Sequence, residues 1–233
     1  MDNAALIVAE VVSAILCFVL LRFMIKPYRT TGESRYIGLP LGFAFLGVSY
    51  ILNGSALYFE SFRFVEEIKW LQLFTQAYAF AFLAATYYFS KKSSNHSRLW
   101  WDLTYAGLVF AAVVSYLVVF EPPMFGLPSY KTVDEYFRIF NIICLAYISI
   151  HTLSHTSKPD PKTIWIPFSY LLLGFSQYSL LIWSVDSSFA AYAGALFLRM
   201  SGLLVLLFVA YQAFYVPREG SPRGKIKDEE TSA

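Results

Sequence analysis

The chain has 233 residues, of which 57% are hydrophobic, 19% aromatic and only 15% charged, and its mean hydropathy is +0.52. Soluble domains carry about 25% charged residues, so this composition argues against a soluble globular enzyme and for a chain solvated by lipid. Its 18 basic and 16 acidic residues leave a net charge of +2, which is no footprint for nucleic acid.

A bilayer core of about 30 Å needs roughly 20 apolar residues per spanning helix. Seven runs meet that requirement: 4–25, 37–59, 68–89, 99–120, 133–154, 164–185 and 189–216. The predicted fold is therefore all-α, a polytopic membrane protein of seven transmembrane helices in a single domain over 1–216. The first run lacks a basic leader, since its first charges are Asp2 and Glu10, and no small-residue cleavage site follows it. It reads as a retained helix rather than a signal peptide. Trp70, Trp100, Trp101, Trp165 and Trp183 fall near run edges, where amphipathic rings meet lipid headgroups. Asp102 and Thr104 are placed at the start of the fourth helix, as capping residues. After Tyr215, segment 217–233 mixes Pro, Gly and alternating charge and is expected to be a disordered cytoplasmic tail.

Basic residues set orientation, because loops rich in Lys and Arg stay in the cytoplasm. Arg22, Lys26, Arg29, Arg35, Lys91, Lys92, Arg98, Lys158, Lys162, Arg218, Arg223, Lys225 and Lys227 flank one side, against Arg63, Lys69 and Lys131 on the other. The N-terminus is expected outside and the C-terminus in the cytoplasm, most simply at the cell membrane.

An internal similarity relates residues 40–49 to residues 167–176: Pro40, Leu46, Gly47 and Ser49 recur as Pro167, Leu173, Gly174 and Ser176, with Cys17 matching Cys144 at the same offset. If it is a repeat, the half-units are 4–89 and 133–216. A parallel copy of a three-helix unit requires one extra crossing, which run 99–120 supplies as a linker helix. This 3+1+3 plan resembles the SWEET and PQ-loop transporters. The resemblance implies hinge prolines at Pro27, Pro40, Pro159 and Pro167 and transport of a small solute. The chain has no Pro-Gln dipeptide, and it carries Gln72, Gln76 and Arg199 where that family places an asparagine pair. The plan also resembles microbial rhodopsins, but no lysine lies between Lys162 and Lys225, so no Schiff base to retinal can form on the seventh helix.

Ionisable and amide groups within hydrocarbon are expensive and mark function or interhelical glue. Glu10 and Arg199 both enter from the predicted outer side and are placed to pair. Asn53, Gln72, Gln76, Asn141 and Gln177 fall in the outer halves of their helices, and Gln72 and Gln76 share a helix face. Together these seven residues outline an outward ligand site. Arg138, one turn from Asp134, reads as a snorkelling interfacial pair. His151 and His155 have a metal-compatible spacing, but a site needs further ligands, so neither metal nor cofactor is expected. No hydrolase elbow, phosphate loop or HExxH motif occurs, which argues against an enzyme. Three functions remain: a small-solute transporter, a seven-helix receptor or sensor acting through a cytoplasmic partner protein, and a non-catalytic subunit of a membrane complex.

Overall fold

The computed structural model describes residues 3–32, 36–59, 64–90, 94–121, 128–154 and 164–215. These form seven α-helices: α1 (Asn3–Thr31), α2 (Gly38–Tyr58), α3 (Val65–Phe89), α4 (Ser94–Phe120), α5 (Tyr130–Ser154), α6 (Trp165–Asp186) and α7 (Phe189–Tyr215). Six are long and apolar enough to cross a membrane; α3 is the exception. Its first turn carries Glu66 and Glu67, and its buried residues include Gln72, Thr75 and Gln76. A helix walled in by neighbours can be less apolar than one facing lipid.

Six helices close a ring in which α1 packs on α2, α2 on α3, α3 on α5, α5 on α6, α6 on α7 and α7 back on α1, while α4 lies outside against α3. Three hydroxyl pairs fasten α4 to α3: Thr75 with Tyr116 at 2.9 Å, Tyr78 with Ser115 at 2.8 Å and Thr86 with Tyr105 at 3.1 Å. Such bonds join helices where surrounding hydrocarbon offers no hydrophobic driving force.

The surface is largely apolar, and ionisable and amide side chains of the spans are buried inside. Val11, Ile15, Phe110, Leu117, Ile143, Ile150, Phe197 and Phe208 are exposed, whereas Glu10, Gln76, Asn141, Gln177 and Arg199 are buried. Continuous apolar surface of this kind marks contact with lipid or protein, and the distribution is that of a multi-pass integral membrane protein. Trp100, Trp165 and Trp183 face outward, as an interfacial belt requires, but Trp70 and Trp101 are packed inside. Trp70 stacks on Phe74 and meets Tyr130 edge-on.

Several boundaries differ from those expected. The α1 helix runs past 25 and includes Pro27 in its interior. Pro40 and Pro167 each stand third in their helices, where the amide hydrogen has no helical acceptor to lose. They interrupt no hydrogen bond, and among the described prolines only Pro27 lies in a helix interior. Pro159 and the tail 217–233 lie outside the described residues, as does His155. The fourth helix begins about two turns before Asp102, so Asp102 and Thr104 do not cap it; the Thr104 hydroxyl instead donates to the Trp100 carbonyl at 2.7 Å. The link between α6 and α7 is the tightest, with Ser187 in the left-handed region at φ 52° donating its amide to the Trp183 carbonyl.

Close approach of α2 to α3 depends on glycine. A Cβ at Gly42 would lie 2.6 Å from Leu83 Cγ and 3.1 Å from the Ala79 carbonyl, whereas one at Gly107 on α4 meets nothing within 4 Å. Gly42→Val is therefore expected to destabilise the bundle by about 1–3 kcal/mol through overpacking, and Gly107→Ala to leave it unchanged or slightly firmer. Unfolding midpoints of the two variants in the same detergent check this.

Candidate functional site

At the end of the bundle that holds the start of α1, the ring encloses a cavity of about 450 Å³. All six ring helices contribute to its wall: Glu10 from α1, Asn53 from α2, Gln72 and Gln76 from α3, Asp134 and Arg138 from α5, Ser176 from α6, and Tyr192 and Arg199 from α7. Lys69, Trp183 and Phe189 form the rim, near their helix ends. At 1.5 Å per residue, Gln76, Ser176 and Arg199 lie about 15 Å along their helices from the same end of the bundle. The cavity thus reaches about halfway through a 30 Å hydrocarbon layer.

Below it the bundle is close-packed and apolar. Cys17, Leu20, Phe43, Leu46, Phe80, Leu83, Leu145, Ile148, Tyr170, Leu173, Leu203 and Leu206 form one continuous buried cluster. Polar side chains near the far end are engaged locally. The Tyr87 hydroxyl donates to Tyr170 at 3.1 Å, and Ser149 and Ser169 donate to carbonyls of their own helices. His151 packs against the rings of Tyr87 and Tyr147. Among the described residues this packed cluster lies between the cavity and the far end of the bundle.

Two buried ion pairs stand in its wall. Arg199 Nη2 reaches Glu10 Oε1 at 2.6 Å, joining α7 to α1, and Asn53 Nδ2 donates to the same oxygen at 2.9 Å, adding α2. The Arg199 guanidinium also lies over the Tyr50 ring, 4.3 Å from its centroid, a cation–π contact that partly replaces lost hydration. Beside this cluster the Ser13 hydroxyl meets Met200 Sδ at 3.2 Å. On α5, Arg138 Nε bonds Asp134 Oδ2 at 2.7 Å.

Glu10, Asn53, Gln72, Gln76 and Arg199, singled out from sequence, all line the cavity. Gln72 Nε2 is 3.4 Å from Gln76 Oε1 and 3.5 Å from Ser49 Oγ, so the α3 amides form a short chain across to α2. Asn141 and Gln177 do not belong to the wall. They are fully buried and meet each other at 3.5 Å between α5 and α6, where they serve as interhelical glue. Arg138 and Asp134, read from sequence as an interfacial pair, are instead buried, with side chains 9% and 7% exposed, and both face the cavity. Depth along the helix was the only available signal for them, and depth does not reveal which way a helix face points. Tyr130, Ser176, Trp183 and Tyr192 are further wall residues that sequence did not single out.

No known protein family, curated protein or solved structure matches this chain. Among the described residues no group of three His, Cys, Asp or Glu side chains is placed to hold a metal. The wall presents paired charges, amides and aromatic rings above an apolar floor.

Removing one member of a buried ion pair strands the other charge, at a cost of about 3–5 kcal/mol, whereas removing both together is far cheaper. Arg199→Met is accordingly expected to lower stability in detergent by that order, and Glu10→Gln with Arg199→Met to recover most of the loss. Thermal denaturation of the two singles and the double gives the coupling directly.

Proposed function

We propose that the protein spans the membrane seven times, with the cavity end outside and the C-terminus in the cytoplasm, and that it is a non-enzymatic receptor or sensor for a small polar solute. Seven crossings follow if α3 counts with its neighbours. It lies side by side with α2 and α5 inside the ring, and its polar residues face the interior rather than lipid. The orientation rests on the sequence, where thirteen basic residues flank one side of the apolar runs against three on the other, and on Arg22, Lys26 and Arg29 standing at the end of α1 away from the cavity.

The observation that carries the receptor reading is the packed layer beneath the cavity. The charged and amide lining ends at mid-depth and a close-packed, largely apolar layer follows, whereas a solute route would need an open polar path through both halves. Ligand binding would therefore act by shifting helices around a fixed floor. With no catalytic constellation of its own, the chain would hand that shift to a protein partner on the cytoplasmic side.

One observation favours transport as a second reading. The ring's packing order is unchanged when α1, α2 and α3 are exchanged with α5, α6 and α7, as parallel half-units would require. Phe43 and Leu46 are as deeply buried as their counterparts Tyr170 and Leu173. In that case Pro27 is the hinge candidate and the present arrangement is the outward-open one.

The test begins with access. In a background of Cys17→Ala and Cys144→Ala, Ser176→Cys is expected to react with a membrane-impermeant maleimide added outside sealed cells. Protection of this cysteine outside, with labelling only in inverted vesicles, would reverse the assigned orientation. In proteoliposomes, a solute that protects Ser176→Cys without being accumulated or exchanged supports the receptor reading, and counterflow of that solute supports transport.

A further inference from the structure

We infer that the cavity binds a small amino-acid-like zwitterion, holding its carboxylate on Arg138 and its ammonium on Glu10. This inference rests on the cavity being a ligand site and names the ligand's chemistry.

The two ion pairs leave hydrogen-bonding capacity unused. Glu10 accepts from Asn53 and Arg199 through Oε1 alone; its Oε2 is buried and has no hydrogen-bond partner among the described residues. Asp134 is in the same position, engaged through Oδ2 with Oδ1 unpartnered, and Ser176 Oγ also lacks a partner. On the donor side, Arg138 commits Nε to Asp134, and its terminal nitrogens donate to no described residue. Arg199 has one terminal nitrogen on Glu10 and its plane over Tyr50, which leaves its Nε buried and without a described partner but no free pair of terminal nitrogens. Unmet hydrogen-bonding capacity on buried charged groups is costly, and here it sits in the wall of an enclosed space on two sides of the ring.

The arrangement selects among ligand classes. A simple anion would satisfy Arg138 but leave the free oxygens of Glu10 and Asp134 facing like charge. A simple amine would satisfy those oxygens and strand the guanidinium. A zwitterion answers both at once and adds no net charge beside the two pairs, which cancel and leave Lys69 at the rim as the one unpaired charge among the described lining residues. Arg138 is the better carboxylate site, because a planar guanidinium with two uncommitted nitrogens can bind a carboxylate bidentately. Glu10, on the opposite wall with one free oxygen, is the complementary ammonium site. Tyr192 on α7 stands in the same wall as both arginines. Tyr130 and Trp183 offer apolar faces for the ligand's side chain. The volume lies within the ordinary range of about 300–1,000 Å³ for small-molecule sites.

The test uses the full-length protein in lipid nanodiscs, with the L-amino acids, their methyl esters and their N-acetyl derivatives as probes, read by thermal stabilisation and equilibrium binding. At least one amino acid is expected to raise the unfolding midpoint in a saturable way, with its ester and its N-acetyl form binding at least tenfold more weakly. Because these are changes to the probe, they do not risk the fold. In Arg138→Gln the affinity for the amino acid should fall at least tenfold and the preference for acid over ester should vanish. Esters or acetylated forms binding as tightly as their parents would overturn the inference and leave the cavity reading standing, as would binding of singly charged amines or acids in place of amino acids. If no probe binds at all, the inference fails. Labelling of Ser176→Cys then separates the cases, since a reactive cysteine keeps the solute-accessible cavity and an unreactive one removes it too.

Discussion

One carboxylate oxygen holds the ring closed. Glu10 Oε1 accepts from Arg199 on α7 and from Asn53 on α2, so the first helix is bonded to both of its neighbours at a single atom. Each group alone would be expensive in hydrocarbon, and the cost of stranding either charge, about 3–5 kcal/mol, exceeds what interhelical hydrogen bonds between neutral groups contribute, about 0.6 kcal/mol on average. The amide contact between Asn141 and Gln177 and the hydroxyl pairs along α4 are therefore adjustments, whereas the charge cluster fixes which helices are neighbours. At the opposite end of the same seam the constraint is apolar. Phe23 stacks against Phe214, with Lys26 over both rings.

Closing the ring in this way leaves a space at one end and not at the other, and the reason is side-chain chemistry. Where the wall carries Glu10, Gln72, Gln76, Arg138 and Arg199, groups must keep hydrogen-bonding geometry and cannot collapse onto one another. Where it carries Phe43, Leu46, Phe80, Leu145, Leu173 and Leu203, nothing prevents close packing, and the bundle fills. The boundary between the two regimes lies at Arg199, whose guanidinium has Glu10 on one side and the Tyr50 ring on the other. Any movement that carried a solute past this level would have to part the aromatic floor, while movement driven by a bound solute need only change the spacing of helices above it.

Much of this was legible in the chain, for reasons that differ by feature. Helix number and approximate span came from run length, because lipid imposes a fixed thickness on every crossing. The meeting of Glu10 with Arg199 was legible from depth alone, since two opposite charges at similar depth on terminal helices have few other partners. What depth cannot supply is azimuth. Asp134 and Arg138 stand near a helix end, and one-dimensional reading sends them to the interface; the structure turns the same α5 face inward. Asn141 and Gln177, by contrast, have suitable depth but point at each other. Trp70 and Trp101 likewise stand near the edges of their apolar runs, yet they pack inward. Pro27 inside α1 is a different case, because the proline signal that ends helices in water is weaker in membrane bundles, where neighbours and local adjustment can satisfy the freed carbonyl.

The place of α4 follows from the same reasoning. A ring of six helices closes without it, and its outward residues Leu103, Phe110, Val113, Leu117 and Phe120 are among the most exposed apolar side chains in the molecule. It contributes nothing to the cavity wall, and its bonds to α3 engage hydroxyls at Thr75, Tyr78 and Thr86 on the helix that also presents Gln72 and Gln76. A helix tied to the outside of the wall by residues interleaved with the lining is mechanically coupled to it. If solute binding displaces α3, α4 is the element through which that displacement first reaches the lipid-facing surface.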